Sequence, residues 1–372
     1  GGSNIIKWMN WLGYDALVPG VRDFDQGVKN LARLNEEAEF PFLAANLKGV
    51  DGIIPHKVLE FGNIKIGLIG LITPFISDGL LPENYEGVEI SPLIETLNDE
   101  VAELKNQVDL VFVLCHLGIP YDREIKYKKF IKKINEGESI EIKNAIELAH
   151  FTESVDMIIT GGFSKGYNTP WVDPNTHAIV VQNYGSLTGI GHLILNIDQD
   201  KKVIKDYSFP TDRGMLVNLF TDDVWADRAM ADTIKNWVDN AKKREDLDYS
   251  DKILSIDNNN CNMQIKSTYN NYTIPKLGTN DNLEIMTWNM ERFPLEGVKT
   301  MEAIAEIIQD LDVDIIGVQE VIKIGDLDKM MSWIPEYDFV ISRQSSFLEQ
   351  AIIYKKNILT VLSQHEPFAF DD

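Results

Sequence analysis

Over the first 210 residues, short and mostly apolar runs alternate with stretches in which apolar side chains recur every three or four positions. The runs Ile64–Leu71, Leu110–Cys115, Met157–Thr160, Ala178–Gln182 and His192–Ile197 predict strands, several of them buried on both faces. Helical spacing predicts helices over Asn4–Leu12, Gly27–Ala38, Pro92–Lys105 and Ile140–Ala149. Strand and helix alternating in this way predict a layered α/β domain. A last helix within 222–244, with Ala226, Met230, Ile234 and Trp237 on one stripe, is expected to close it.

The pattern then breaks. Residues 250–282 are rich in Asn, Asp, Ser and Thr and include Asn258-Asn259-Asn260, which predicts a linker between a domain over 1–249 and a second over 283–372. The second begins as strand, helix, strand: Thr287-Trp288-Asn289-Met290, then Met301, Ile304, Ile307, Ile308 and Leu311 at helical spacing, then Asp314-Ile315-Ile316-Gly317-Val318-Gln319-Glu320. Asn289 and Glu320 fall on neighbouring strand ends, where an open α/β sheet presents side chains to a ligand. A carboxylate suits a hard divalent cation, and an amide can donate to a phosphate oxygen. The plain alternative is a turn-capping Asn289 and a solvated Glu320.

Residues 283–354 also resemble the opening of the endonuclease/exonuclease/phosphatase family, through Thr287–Met290, Asp314–Glu320 and the strand Gln350-Ala351-Ile352-Ile353-Tyr354. The resemblance implies that Asn289 orients a phosphate and is catalytic, and that Glu320 binds Mg2+ or Mn2+. The family's Gly-Asp-x-Asn and Ser-Asp-His signatures do not occur by residue 372, so this domain is expected to be a truncated one that associates with another chain. His365 matches no catalytic motif and reads as a loop residue.

Composition narrows the function classes. With 44% hydrophobic and 25% charged residues, the 372-residue chain is an ordinary globular one. A formal charge of −23 disfavours strong binding to nucleic-acid backbones, which requires clustered Lys and Arg. Lys126, Lys128, Lys129, Lys132 and Lys133 form the densest basic cluster and read as one solvated helix face. So acidic a chain can still handle phosphoesters if metal ions reverse the local potential. Cys115 and Cys261 are too few for a disulfide framework; Cys115 lies in an apolar run and reads as a core residue. No apolar run is long enough to span a membrane, and no charged-then-apolar leader opens the chain.

Several segments of the first domain resemble the metallophosphoesterase branch that contains the 5'-nucleotidases. They are Leu12-Gly13-Tyr14-Asp15-Ala16, Gly20–Asp25 with Gly27, Phe40-Pro41, Ala44-Ala45-Asn46-Leu47, Ile64–Leu71 and Leu114-Cys115-His116-Leu117-Gly118. The resemblance implies an α/β/β/α sandwich, two sheets between helices, in each domain, and a periplasmic or secreted protein. It also implies two divalent metals, held by an Asp-x-His, a Gly-Asp, a Gly-Asn-His-Asp/Glu, a strand-ending His and a Gly-His-x-His. Here the third motif reads Gly20-Val21-Arg22-Asp23 and the last Gly162-Phe163-Ser164-Lys165. Only His116 matches a metal ligand, so no complete dinuclear site is expected in this domain. Arg22 and Lys165 stand where ligands belong and are candidates to bind an anionic substrate, the alternative being plain surface charges. Gly161–Tyr167 lacks the Gly-Lys-Ser/Thr ending of a phosphate loop.

The combined expectation is a metal-dependent phosphoester hydrolase lineage acting on nucleotides or similar small phosphoesters, with little turnover by this chain. The competing expectation, from a different class, is a non-catalytic binding or scaffold protein on a degenerate phosphatase fold.

Overall fold

The strand Ile64–Leu71 shows how the first unit is built. Ile64, Ile66 and Leu68 face one core and Ile69 and Leu71 the other, so alternate residues of a single strand feed two apolar layers. In this computed structural model the described residues are 2–162, 165–185, 189–219, 226–242, 255–256, 274–279, 282–341 and 349–361. Most of the expected linker lies outside them, as do Phe163 and Ser164. The chain divides into two compact units, Gly1–Pro74 with Glu83–Asp227, and Phe75–Pro82 with Arg228–Asp372.

In the first unit, β1 (His56–Phe61), β2 (Ile64–Leu71), β3 (Leu110–Cys115), β4 (Met157–Thr160), β5 (Trp171–Val172) and β6 (Ile179–Gln182) form a sheet of order β1-β2-β3-β4-β6-β5. Strands β2, β3, β4 and β6 run parallel, while β1 and β5 close the edges antiparallel. Helices α1 (Ser3–Leu12) and α2 (Val28–Glu37) precede the sheet. One face is covered by α3 (Leu93–Leu104), α4 (Arg123–Asn135) and α5 (Ala145–His150), through Leu93, Leu97, Tyr127, Phe130, Ile146 and Leu148. The other is covered by Leu43, Met215, Leu216 and the hairpin Ile194–Asp198/Val203–Ser208, whose Leu195, Ile197, Ile204 and Tyr207 pack against it. The lysine run forms α4. The helix expected over Ile140–Ala149 is shorter, because the Asn144 side chain accepts the Glu147 N–H at 3.1 Å and fixes the helix start at Ala145.

In the second unit, β7 (Ile285–Phe293), β8 (Ile315–Val321), β9 (Tyr337–Ile341) and β10 (Glu349–Lys355) form a sheet of order β7-β8-β10-β9. Only β7 and β8 are parallel, joined by a crossover through the helix Val298–Leu311. That helix and Ile324–Met331 cover one face, over Ile304, Ile308, Ile316, Val318, Leu327 and Ile353. Ile285 and Ile352 project from the other face, 71% and 48% exposed. The helix expected within 222–244 runs Arg228–Lys242 and groups with this unit. At the end of the sheet where β7 and β8 begin, the buried Lys355 ammonium donates to the Asp312 carbonyl at 2.7 Å and to Asp314 Oδ1 at 3.1 Å. Asp314 Oδ2 takes the Glu284 N–H at 2.9 Å.

Both units are therefore mixed α/β, with helices packed on their sheets. A Cβ at Gly70 would stand 2.3 Å from the Leu43 carbonyl, so Gly70→Ala should cost about 2–3 kcal/mol in urea unfolding of the first unit. Lys355→Met strands a buried Asp314 carboxylate and should cost the second unit about 3–5 kcal/mol in the same measurement.

Candidate functional site

In an open parallel sheet, ligands are met beyond the carboxyl ends of the strands. His116 follows β3 and Gly161-Gly162 follow β4 there, and two buried polar side chains hold their loops. The Thr160 hydroxyl accepts the Gly118 N–H at 2.9 Å and also takes the Cys115 thiol at 3.3 Å. Gln182 accepts the Ile119 N–H at 2.6 Å on its amide oxygen and donates from its amide nitrogen to the Lys165 carbonyl. These bonds join the loop after His116 to the loop carrying Lys165. Burial pushes the Cys115 thiol up to about 12, so it stays protonated and acts as the core residue expected from the sequence.

The turn Val21–Phe24 comes against the same place. Phe24 is fully buried and anchors it, and Asp23 closes it by accepting the Gly20 N–H at 2.6 Å. The His116 ring fills the space in front of Gly20: a Cβ there would lie 2.8 Å from His116 Nε2. Only glycine permits this approach. Burial holds the imidazole below its ordinary pKa, so the ring is neutral near pH 7, the form that can accept a proton or ligate a cation.

Of the residues singled out in the sequence, His116 and the Gly20 turn are brought together. Arg22 lies in that turn, with its guanidinium 3.7 Å from Asp25. Lys165 turns its ammonium onto the neighbouring loop, 3.3 Å from the Tyr121 carbonyl and over the rings of Tyr121 and Tyr167. Tyr167 donates to the Pro120 carbonyl at 2.5 Å, and its ring carries the Arg123 guanidinium at 4.7 Å, so this aromatic serves loop structure. One imidazole beside two cationic side chains does not fit a pair of divalent ions, which need several anionic or neutral donors. Among the described residues no group of three His, Cys, Asp or Glu side chains is placed to hold a metal.

In the second unit Asn289 and Glu320 do meet. Asn289 Nδ2 donates to Glu320 Oε1 at 3.0 Å, while its Oδ1 accepts the Glu291 N–H at 2.9 Å, so the amide is held from both sides. The backbone around the pair departs from regular strand: Glu320, Glu291 and Arg292 take φ of 63°, 45° and 60°, conformations that non-glycine residues rarely adopt. The β7–β8 register breaks between Asn289 and Phe293. Strain gathered at two neighbouring strand ends is characteristic of a site held in place by its surroundings. The Glu320 carboxylate offers oxygen of the kind a hard cation such as Mg2+ prefers, while the Asn289 amide nitrogen beside it can only donate. Sequence reasoning did not single out Thr160 or Gln182, nor Glu349, a buried acid in register with Val321 one residue beyond Glu320.

No protein-family model matches the chain. Human 5'-nucleotidase is 34% identical over 140 residues, covering 34% of this chain and 24% of that protein. The trifunctional nucleotide phosphoesterase YfkN of Bacillus subtilis is 31% identical over 172 residues, covering 42% of this chain and 11% of the other. The chain thus spans a small part of the relatives it matches. Among solved structures, a 5'-nucleotidase precursor from Thermus thermophilus superposes with a TM-score of 0.50 at 21% identity, over 65% of this chain and 46% of that one. The calcineurin-like phosphoesterase structure of YfkN does so with a TM-score of 0.50 at 22% identity, over 63% and 73%. Over those 65% and 63% of its residues the chain shares its fold with these phosphoesterases, and its sequence relatives are nucleotidases and nucleotide phosphoesterases.

Proposed function

We propose that this chain descends from metal-dependent phosphoester hydrolases acting on nucleotides or similar small phosphoesters, and that its own residues supply at most a single-cation site, at Asn289 and Glu320. The observation that carries this reading is the 3.0 Å contact between Asn289 and Glu320 at adjacent strand ends. The names of the relatives support the nucleotide class of substrate. We take the domains as 1–249 and 283–372. The motifs of 283–354 support reading the second as the opening part of an endonuclease/exonuclease/phosphatase-like domain.

On this reading Glu320 holds Mg2+ or Mn2+ through oxygen, and Asn289 presents its remaining amide hydrogen to a phosphate oxygen. A bound cation would supply Lewis acidity and offset the negative charge of substrate and protein. In the first domain His116 keeps the place of a metal ligand beside the Gly20 turn. One imidazole without further donors among the described residues does not suit a pair of divalent ions there. Arg22 and Lys165 are the residues through which that domain would hold an anion. For localisation, two relatives named for snake venom support a secreted or periplasmic protein. No helix among the described residues is long and apolar enough to cross a membrane.

One observation favours a second reading, a non-catalytic scaffold: the Arg22 and Lys165 charges already have partners within the protein. Hydrolysis of a chromogenic bis-phosphoester with added Mg2+ or Mn2+ separates the two. Slow metal-dependent turnover that falls about tenfold or more in Glu320→Ala is expected. Equal background from both proteins would assign the chain to the scaffold reading.

A further inference from the structure

Eight residues that the sequence assigns to the first domain group with the second unit. They are Phe75–Pro82, which lie beyond the carboxyl end of β2. On either side of them the chain is tied down within the first unit. The buried Asn46 amide accepts the Ile72 N–H at 2.9 Å and donates to the Ile72 carbonyl at 3.0 Å, and the Asn84 amide donates to the Asp25 carbonyl at 2.9 Å. Between these ties Ile76–Asp78 forms one helical turn, with the Asp78 and Gly79 N–H groups donating to the Phe75 and Ile76 carbonyls at 3.1 Å each. A short segment folded between fixed ends has little freedom left to lose when it packs.

Its contacts converge on the chain just after Glu320. Leu81 packs against the apolar core that contains Phe293, Val321 and Ile324. The Ser77 carbonyl lies so close to Gly325 that a Cβ there would stand 2.3 Å from it, and Asp78 Oδ2 is 3.0 Å from the Lys323 ammonium. Lys323 is the cap of the helix Ile324–Met331, and Gly325 is in its first turn. Between Glu320 and that helix, Val321 is fully buried, and the Ile322 and Lys323 N–H groups donate to the Phe293 carbonyl at 3.0 and 3.3 Å. Glu320 itself takes a φ of 63°, a conformation that costs energy and persists only where the surroundings over-determine it. The Phe293 carbonyl supplies one restraint on the residues that follow Glu320. Phe75–Pro82 supplies a second, at Lys323 and Gly325.

We propose that Phe75–Pro82 is a positioning element for Glu320: through Lys323 and Gly325 it holds the strained turn that carries the carboxylate beside Asn289. This role rests on the single-cation reading of Glu320. Two measurements on the full chain test it: paramagnetic resonance of added Mn2+ reads the affinity, and amide hydrogen exchange reads the turn without metal. The wild type should bind one Mn2+, and Glu320→Ala should lose it. Alanine suits a helix, but a methyl at Gly325 displaces the Ser77 backbone. Gly325→Ala should therefore raise the Mn2+ dissociation constant about tenfold and speed exchange of the Ile322 and Lys323 amides, with the circular dichroism unchanged. Asp78→Lys, a milder change at a half-exposed side chain, should raise the constant about threefold, and Asp78→Lys/Lys323→Asp should restore it, which a general loss of structure would not do. Wild-type Mn2+ affinity in Gly325→Ala, or unchanged protection of both amides, would overturn the positioning role and leave the cation site standing. A wild type without Glu320-dependent Mn2+ binding would remove the cation site and the role with it.

Discussion

The first unit is governed by a sheet that is buried on both faces. Because Ile64, Ile66 and Leu68 serve one core and Ile69 and Leu71 the other, a strand of this kind has no side chain left to offer a ligand along its length. Chemistry is confined to the loops beyond the carboxyl ends, and those loops must be held by something other than the sheet ladder. Thr160 and Gln182 hold them, with hydrogen bonds that join loops 42 and 63 residues apart in the chain. A buried polar group of this kind is costly unless fully bonded, so the arrangement tolerates little variation. It joins the loop after His116 to the loop carrying Lys165.

Electrostatics then decides what such a frame can do. A chain of formal charge −23 meets an anionic phosphoester with repulsion unless cations intervene. In the first unit the local cations are Arg22 and Lys165, both engaged within the protein. In the second unit Asn289 donates to the Glu320 carboxylate, the group proposed to hold a cation.

Much of the fold was readable in advance. The run Ile64–Leu71 is long, apolar and rich in β-branched residues, and both its extent and its two-sided burial follow from that. The lysines of α4 could be placed on a solvated helix because Tyr127 and Phe130 break the run at inward positions. The start of α5 differs from the sequence expectation because an Asn-x-x-Glu cap, Asn144 to Glu147, outweighs the apolar spacing before it. Among the candidate residues, His116, Asn289 and Glu320 stand out in the sequence because each ends an apolar run. The bonds of Thr160 and Gln182 were not, since long-range side-chain pairing leaves no local pattern. The left-handed backbone at Glu291, Arg292 and Glu320 was equally hidden: a glycine would have signalled it, but these residues are held there by their neighbours.

The proposal places cation chemistry at the Glu320 carboxylate beside Asn289 and not around His116. Anomalous diffraction from a crystal of the full chain soaked in Mn2+ tests this most directly. One peak, coordinated by Glu320, is expected, with no metal beside His116. A fully occupied pair of peaks next to His116 would overturn it.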